Sequence, residues 1–286
     1  MCLPIISLGQ DWIELNLFWN IVGLIRVNFR DFINIALYII NPKTVLNLMD
    51  FNQNKDGQFY LDQSASGSEV QSQFFTKVFT WMFVALTITG FTAFTVSTNP
   101  SWMEAIYYSN LKWLVMLAPL GLVFLIGGRI ERMSAMMTTI LFFVFSVLMG
   151  VSMSYIFMIY TASSITSTFF ICSATFAAMA GIGYFTKKDL TKMGSYLYMA
   201  LIGLIITSVV NWFIGSSMIY WLSSGIGILI FTGLTIYDTQ RLKELAHAYN
   251  TDEEMMQKGA IYGALSLYLN FINLFIYMLR FLGDRN

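Results

Sequence analysis

Residues 133–186 read MSAMMTTILFFVFSVLMGVSMSYIFMIYTASSITSTFFICSATFAAMAGIGYFT, and not one of these 54 positions is Asp, Glu, Lys or Arg. A helix that crosses a bilayer needs about 20 predominantly apolar residues. The stretch therefore holds two crossings with a turn between them, near 161–164. Strands of an outer-membrane barrel alternate apolar and polar residues, whereas Leu141 to Met149 is almost unbroken apolar sequence. Lipid offers no partner to backbone N–H and C=O groups, so an apolar run of this length must satisfy them internally, as a helix.

The same charge-free spacing recurs on either side. Residues 78–103, 113–128, 193–237 and 259–279 are also uncharged. The second of these gaps is short and the third is long enough for two helices. The chain is thus expected to be an all-α integral membrane protein with seven crossings, near 76–97, 112–129, 134–160, 165–185, 194–215, 217–239 and 259–281. Composition agrees. Of 286 residues 57% are hydrophobic and only 11% charged, against roughly 25% charged in soluble domains, and the mean hydropathy is +0.64. So few charges cannot cover a water-soluble surface of this size. They also exclude a disordered chain, which needs low hydrophobicity and high charge. Sixteen basic residues balance sixteen acidic ones, so no basic excess exists to neutralise nucleic-acid phosphates.

Two cysteines, Cys2 and Cys172, and a single histidine, His247, form no CxxC and no disulfide framework. That set is too small for a zinc or haem site, and no resident cofactor is expected. P-loop, GxSxG, HExxH and EF-hand patterns are absent from the sequence.

Loop charges orient the bundle. Arg129 with Arg132, then Lys187, Lys188 and Lys192, then Arg241, Lys243 and Lys258 mark every second connection. The connections near 98–111, 161–164 and 216 carry no basic residue. Basic loops stay cytoplasmic, which places the residues before the first crossing in the cytoplasm. Arg280, at the end of the last crossing, and Arg285, beyond it, run against this count, and a re-entrant last segment is the alternative. Residues 49–73 are polar and Ser/Gln/Asn-rich, and read as a flexible cytoplasmic tail. Residues 1–48 contain an apolar stretch from Trp12 to Ile40 interrupted by Glu14, Arg26, Arg30 and Asp31. They read as an interfacial segment or as upstream sequence from an over-early start. The membrane domain proper is expected over 74–283.

Two polar stripes stand out inside the apolar helices. Ser224, Gly227, Phe231, Thr235 and Asp238 share one face at 3.6 residues per turn. In the last crossing Tyr262, Ser266, Asn270, Asn273 and Tyr277 do the same. Polar groups at membrane depth face protein or water and serve either as helix–helix glue or as a pathway; spacing leaves both open. Thr251 and Glu254 form a capping box ahead of the last crossing, and Gly259 with Gly263 makes a GxxxG near its start.

The segments Gly233-Leu-Thr-Ile-Tyr-Asp-Thr-Gln240, Ala264-Leu-Ser-Leu-Tyr-Leu-Asn-Phe-Ile-Asn-Leu-Phe275 and Leu279-Arg-Phe-Leu-Gly283 resemble the Bax inhibitor family, also called Lifeguard, in its bacterial branch. The resemblance covers about 70–283. It implies six helices around a central seventh, and a calcium leak regulated by pH. It also implies a sensor of two aspartates on the last two helices, with an arginine from the end of the second helix able to pair with them. Asp238 matches the first aspartate. The second falls on Asn270, a departure, and the arginine falls on Arg129 or Arg132. Two adjacent carboxylates resist joint ionisation, so one holds its proton toward neutral pH. Asn270 cannot ionise, and a blunted or acid-shifted pH response is expected. Asp238 and Asn270, helped by Asn273, Thr235 and backbone oxygens, would give a weak, partly hydrated Ca2+ site.

Three readings follow. The first is a passive cation leak, chiefly for Ca2+. The second is an interaction protein that modulates a membrane-anchored ATP-dependent protease through the tail, as the resemblance implies for some relatives. The third is an intramembrane enzyme. It is the weakest, because the only His lies in a loop and the second aspartate of a paired-aspartate protease is missing. The expected surroundings are therefore the lipid bilayer and Ca2+, with no nucleic acid and no catalysis.

Overall fold

The computed structural model describes residues 63–248 and 253–286. The expectations for 1–48, for most of the tail, for the side chain of His247 and for the Thr251 half of the capping box lie outside the described residues. Among the described residues seven long helices appear: α1 (Gln63–Ser97), α2 (Leu111–Arg129), α3 (Ala135–Met153), α4 (Ala162–Phe185), α5 (Thr191–Ile214), α6 (Ser217–Ala248) and α7 (Glu253–Leu282). All seven are long and apolar enough to cross a membrane. They fall on the seven crossings expected from the five charge-free gaps, because charge is what hydrocarbon excludes. The first helix starts at Gln63, within the stretch expected to be a polar tail. Helix α2, which fills the shortest charge-free gap, has 19 residues. At 1.5 Å per residue it reaches about 28 Å, close to the hydrocarbon thickness.

Local sequence explains where the helices stop. Ser134 accepts a hydrogen bond from the Met137 N–H and caps α3; Thr161 does the same for α4 with Ser164. A short helix, Pro100–Tyr107, is capped by Asn99 and carries Pro at its first position, where proline's missing N–H costs nothing. Gly215 ends α5 in the left-handed region, at φ 67°, a conformation that only glycine adopts freely. Its neighbour Ser216 donates its N–H to the Asn211 side chain, so the α5–α6 turn needs only two residues.

The centre of the bundle is α7. Of its most apolar 18-residue stretch 83% is buried inside the protein, against 22–50% for the other six helices. It packs directly on α1, α3, α4 and α6, while α2 joins the bundle chiefly through α3 and α5 through α6. The outward faces carry exposed Phe83, Phe91, Phe170, Phe213 and Leu229, as a lipid-facing surface requires. Lipid tails are as apolar as leucine, so helices associate through close packing and buried hydrogen bonds instead. Both are present. A Cβ on Gly183 would fall on the Ile236 carbonyl of α6, and one on Gly227 would fall on the Tyr277 ring of α7. Thr89 of α1 donates to the Ser146 carbonyl of α3 at 2.9 Å and sits 2.8 Å from the Tyr268 hydroxyl of α7. Since the threonine proton is already used, Tyr268 is the donor in the second bond. One hydroxyl thus ties three helices together.

Candidate functional site

The stripe anticipated on α6 is buried throughout: Ser224, Gly227, Phe231, Thr235 and Asp238 all face the interior. On α7, Asn270, Asn273 and Tyr277 are buried and Tyr262 and Ser266 half-buried. The two stripes meet. Asp238 is 3% exposed and Asn270 0%, and the Asn270 amide nitrogen donates to Asp238 Oδ2 at 2.9 Å. An amide turned the other way would set its oxygen against the carboxylate, so the donor orientation is the one that electrostatics favours. The second carboxylate oxygen, Oδ1, accepts from the Tyr198 hydroxyl of α5 at 3.4 Å.

Close approach makes this possible. Gly194, one turn before Tyr198, lies directly against the Tyr237 ring, and Tyr198 packs edge-on to Tyr237 at 5.9 Å. Helix α5 is thereby drawn tightly onto α6 at the level of the acid.

The amides leave two oxygens over. Asn270 Oδ1 and Asn273 Oδ1 are both buried with no hydrogen-bond partner among the described residues; the Asn273 nitrogen bonds back to the Leu269 carbonyl at 2.7 Å. Buried acceptors of this kind are rare in folded proteins and ask for a ligand, an ion or a water. Thr235 sits on the same side of α6, with its hydroxyl donating to the Phe231 carbonyl at 2.8 Å. Its lone pairs remain as acceptors. The seam between α6 and α7 therefore presents one carboxylate and several neutral oxygens in a buried setting. That chemistry suits a cation or its hydration water.

The arginine expected beside Asp238 is not there. Arg129 ends α2, Arg132 closes the short 3-10 turn Ile130–Arg132, and both are exposed. Among the described residues neither forms a hydrogen bond or an ion pair. The physical reason is the placement of α2: it joins the bundle chiefly through α3 and not through the α5 and α6 helices that frame Asp238. Conversely, Tyr198 was not anticipated. A tyrosine near the start of a membrane helix is ordinary interfacial furniture, and nothing in its spacing marked it as a donor to an acid. The lower end of α7 also holds an unforeseen clasp. Glu254 accepts the Ala135 N–H at 3.2 Å, and Lys258 donates to the Met133 carbonyl at 3.2 Å, so α7 caps the start of α3.

Comparison with known proteins fits this architecture. The family described as "Inhibitor of apoptosis-promoting Bax1" matches residues 71–286. The inner membrane protein YbhL of Escherichia coli K12 is 41% identical over 215 residues, covering 74% of this chain and 92% of YbhL. An uncharacterised protein of Borreliella burgdorferi is 44% identical over 217 residues, covering 76% and 94% respectively. Protein RP147 of Rickettsia prowazekii, also uncharacterised, is 44% identical over 214 residues, covering 74% and 90%. With seven apolar helices, a buried seventh and matches of this extent, the chain is an integral membrane protein that belongs to the Bax inhibitor family.

Proposed function

We propose that the protein is a passive cation leak, chiefly for Ca2+, whose pathway follows the α6–α7 seam past Asp238, Asn270 and Asn273, and whose response to pH is blunted. The observation that carries this reading is the buried Asn270–Asp238 hydrogen bond of 2.9 Å beside two partnerless amide oxygens. Calcium takes six to eight oxygen ligands. One carboxylate, two amide carbonyls, the Thr235 hydroxyl and water supply a weak version of that shell, and weak binding suits a leak because the ion must also leave. A pair of carboxylates would need a shared proton to hold together. Here the amide supplies the donor at every pH, so the closed arrangement does not depend on a proton.

The end of the bundle bearing Lys187, Lys188 and Lys192 together with Arg129 and Arg132 faces the cytoplasm in this reading. No covalent step is assigned to the seam; the protein moves ions and transforms none.

The test is Ca2+ flux into liposomes, measured against pH. Wild type should leak with a shallow pH dependence, and Asn270→Asp should create a titration nearer neutrality. Identical curves for the two proteins refute the blunted sensor. If wild type shows no flux and instead co-purifies with a membrane-anchored protease, the leak is refuted in favour of an interaction role.

A further inference from the structure

The polar stripe of α7 does not stop at Tyr277. The next residue on the same face is Arg280, so the series runs Asn270, Asn273, Tyr277, Arg280. Ten residues at 1.5 Å each put Arg280 about 15 Å beyond Asn270 along the axis, at the end of the bundle opposite the lysine-rich loops. Its side chain is 6% exposed. The guanidinium carbon lies 4.1 Å from the centroid of the Tyr220 ring and 5.0 Å from that of Tyr277, and Nη2 donates to the Tyr220 carbonyl at 3.5 Å. Arg285 approaches the Tyr220 ring as well, at 5.5 Å, and donates to its hydroxyl at 3.1 Å. Tyr220, in the first turn of α6, is thus held between two guanidinium groups.

The residues after α7 fold back and hold this arrangement. The Asp284 carbonyl accepts the Thr161 N–H at 3.2 Å, the Asn286 N–H donates to the Ile159 carbonyl at 2.8 Å, and the Asp284 N–H donates to Ser164 Oγ at 3.0 Å. Tyr160 and Arg285 pair as an isolated antiparallel bridge. Gly283 makes the turn, and a Cβ there would strike the Leu279 carbonyl and the Tyr160 ring. The C-terminal strap therefore fastens α7 to the α3–α4 connection, at the level where α6 begins.

Building on the cation-leak reading, we infer that Arg280, stacked on Tyr220 and Tyr277 and backed by the strap, is the gate at this end of the pathway. A guanidinium plane stacked on aromatic faces is well fixed. It fills the end of the stripe with bulk and with positive charge, both of which oppose a departing cation. Flux is then set by how often the stack opens, and the neutral amides deeper in the seam are left to coordinate the ion.

The test uses the full chain in liposomes with Ca2+ as the probe. Arg280→Gln and, separately, Tyr220→Leu should raise flux by about tenfold, the change that lowering a barrier by ~1.4 kcal/mol produces. Arg280→Lys keeps the charge but loses the stacked plane, and should fall between wild type and Arg280→Gln. A second readout does not need flux. In a Cys2→Ser, Cys172→Ala background, Asn273→Cys should resist a small water-soluble thiol reagent while Arg280 is present and react once Arg280→Gln is added. Unchanged labelling, in proteins that remain monodisperse, overturns the gate. Labelling that responds while every protein stays at background flux supports the gate and overturns the leak reading instead.

Discussion

At the level of single residues the decisive fact is that an acid is buried and met by an amide. A hydrogen bond to a charged group is worth about 1.5–3 kcal/mol net, and a buried charge stripped of its donor costs more than the bond itself. A double-mutant cycle on Asp238→Asn and Asn270→Ala, followed by unfolding in detergent, should therefore give a coupling energy in that range. Simple additivity would show that the bond of 2.9 Å contributes nothing. Much of this site was legible in the sequence. Asp238 is the first charge after 45 uncharged positions, and two asparagines inside an apolar helix announce themselves. What stayed hidden was the third partner and the absent one. Spacing along one helix fixes a face but not the neighbour that covers it, so neither the approach of Tyr198 nor the distance of Arg129 and Arg132 was readable.

Among the helices, close approach depends on positions where a side chain has been omitted. Gly181 and Gly183 are two residues apart on α4 and make opposite predictions. A Cβ on Gly181 meets nothing within 4 Å, whereas one on Gly183 runs into the backbone of α6. Gly183→Leu should destabilise the protein by about 1–3 kcal/mol through overpacking, and Gly181→Leu should be close to neutral. Thermal unfolding of the two variants side by side checks this; equal losses would show that the α4–α6 contact is not tight. The start of α5 behaves differently, because its support is ionic. The Asp189 carboxylate accepts the Thr191 hydroxyl and N–H, and these bonds hold its carboxyl below the usual aspartate range. A carboxyl depressed by folding contributes its stability above the unfolded value, near 3.9, and loses it as pH falls through the folded one. Amide exchange at Thr191–Gly194 should therefore be pH-insensitive in protection near neutrality and lose protection only in strong acid.

For the molecule as a whole, seven crossings place the connections on alternate sides. Reporter cysteines replacing Glu104 and Lys188 should react with an impermeant thiol reagent from opposite faces of the membrane; labelling from one face would overturn the seven-span count. This scale was the most legible in the sequence, since exclusion of charge from hydrocarbon acts on every residue of a span at once and averages out local exceptions. The central place of α7 was not visible in hydropathy. Its long run is no more apolar than its neighbours', and the polar stripe that marked it marked α6 as well. That central place has a consequence for biogenesis. Chains are made from the N-terminus, so the helix that fills the middle leaves the ribosome after the six around it. The six earlier segments must wait in the bilayer around an unfilled cleft whose walls include Asp238 and Thr89, and α7 has to slot between them late. Nascent chains stalled before residue 253 would then be the species most in need of a membrane chaperone, and the most exposed to quality-control proteolysis.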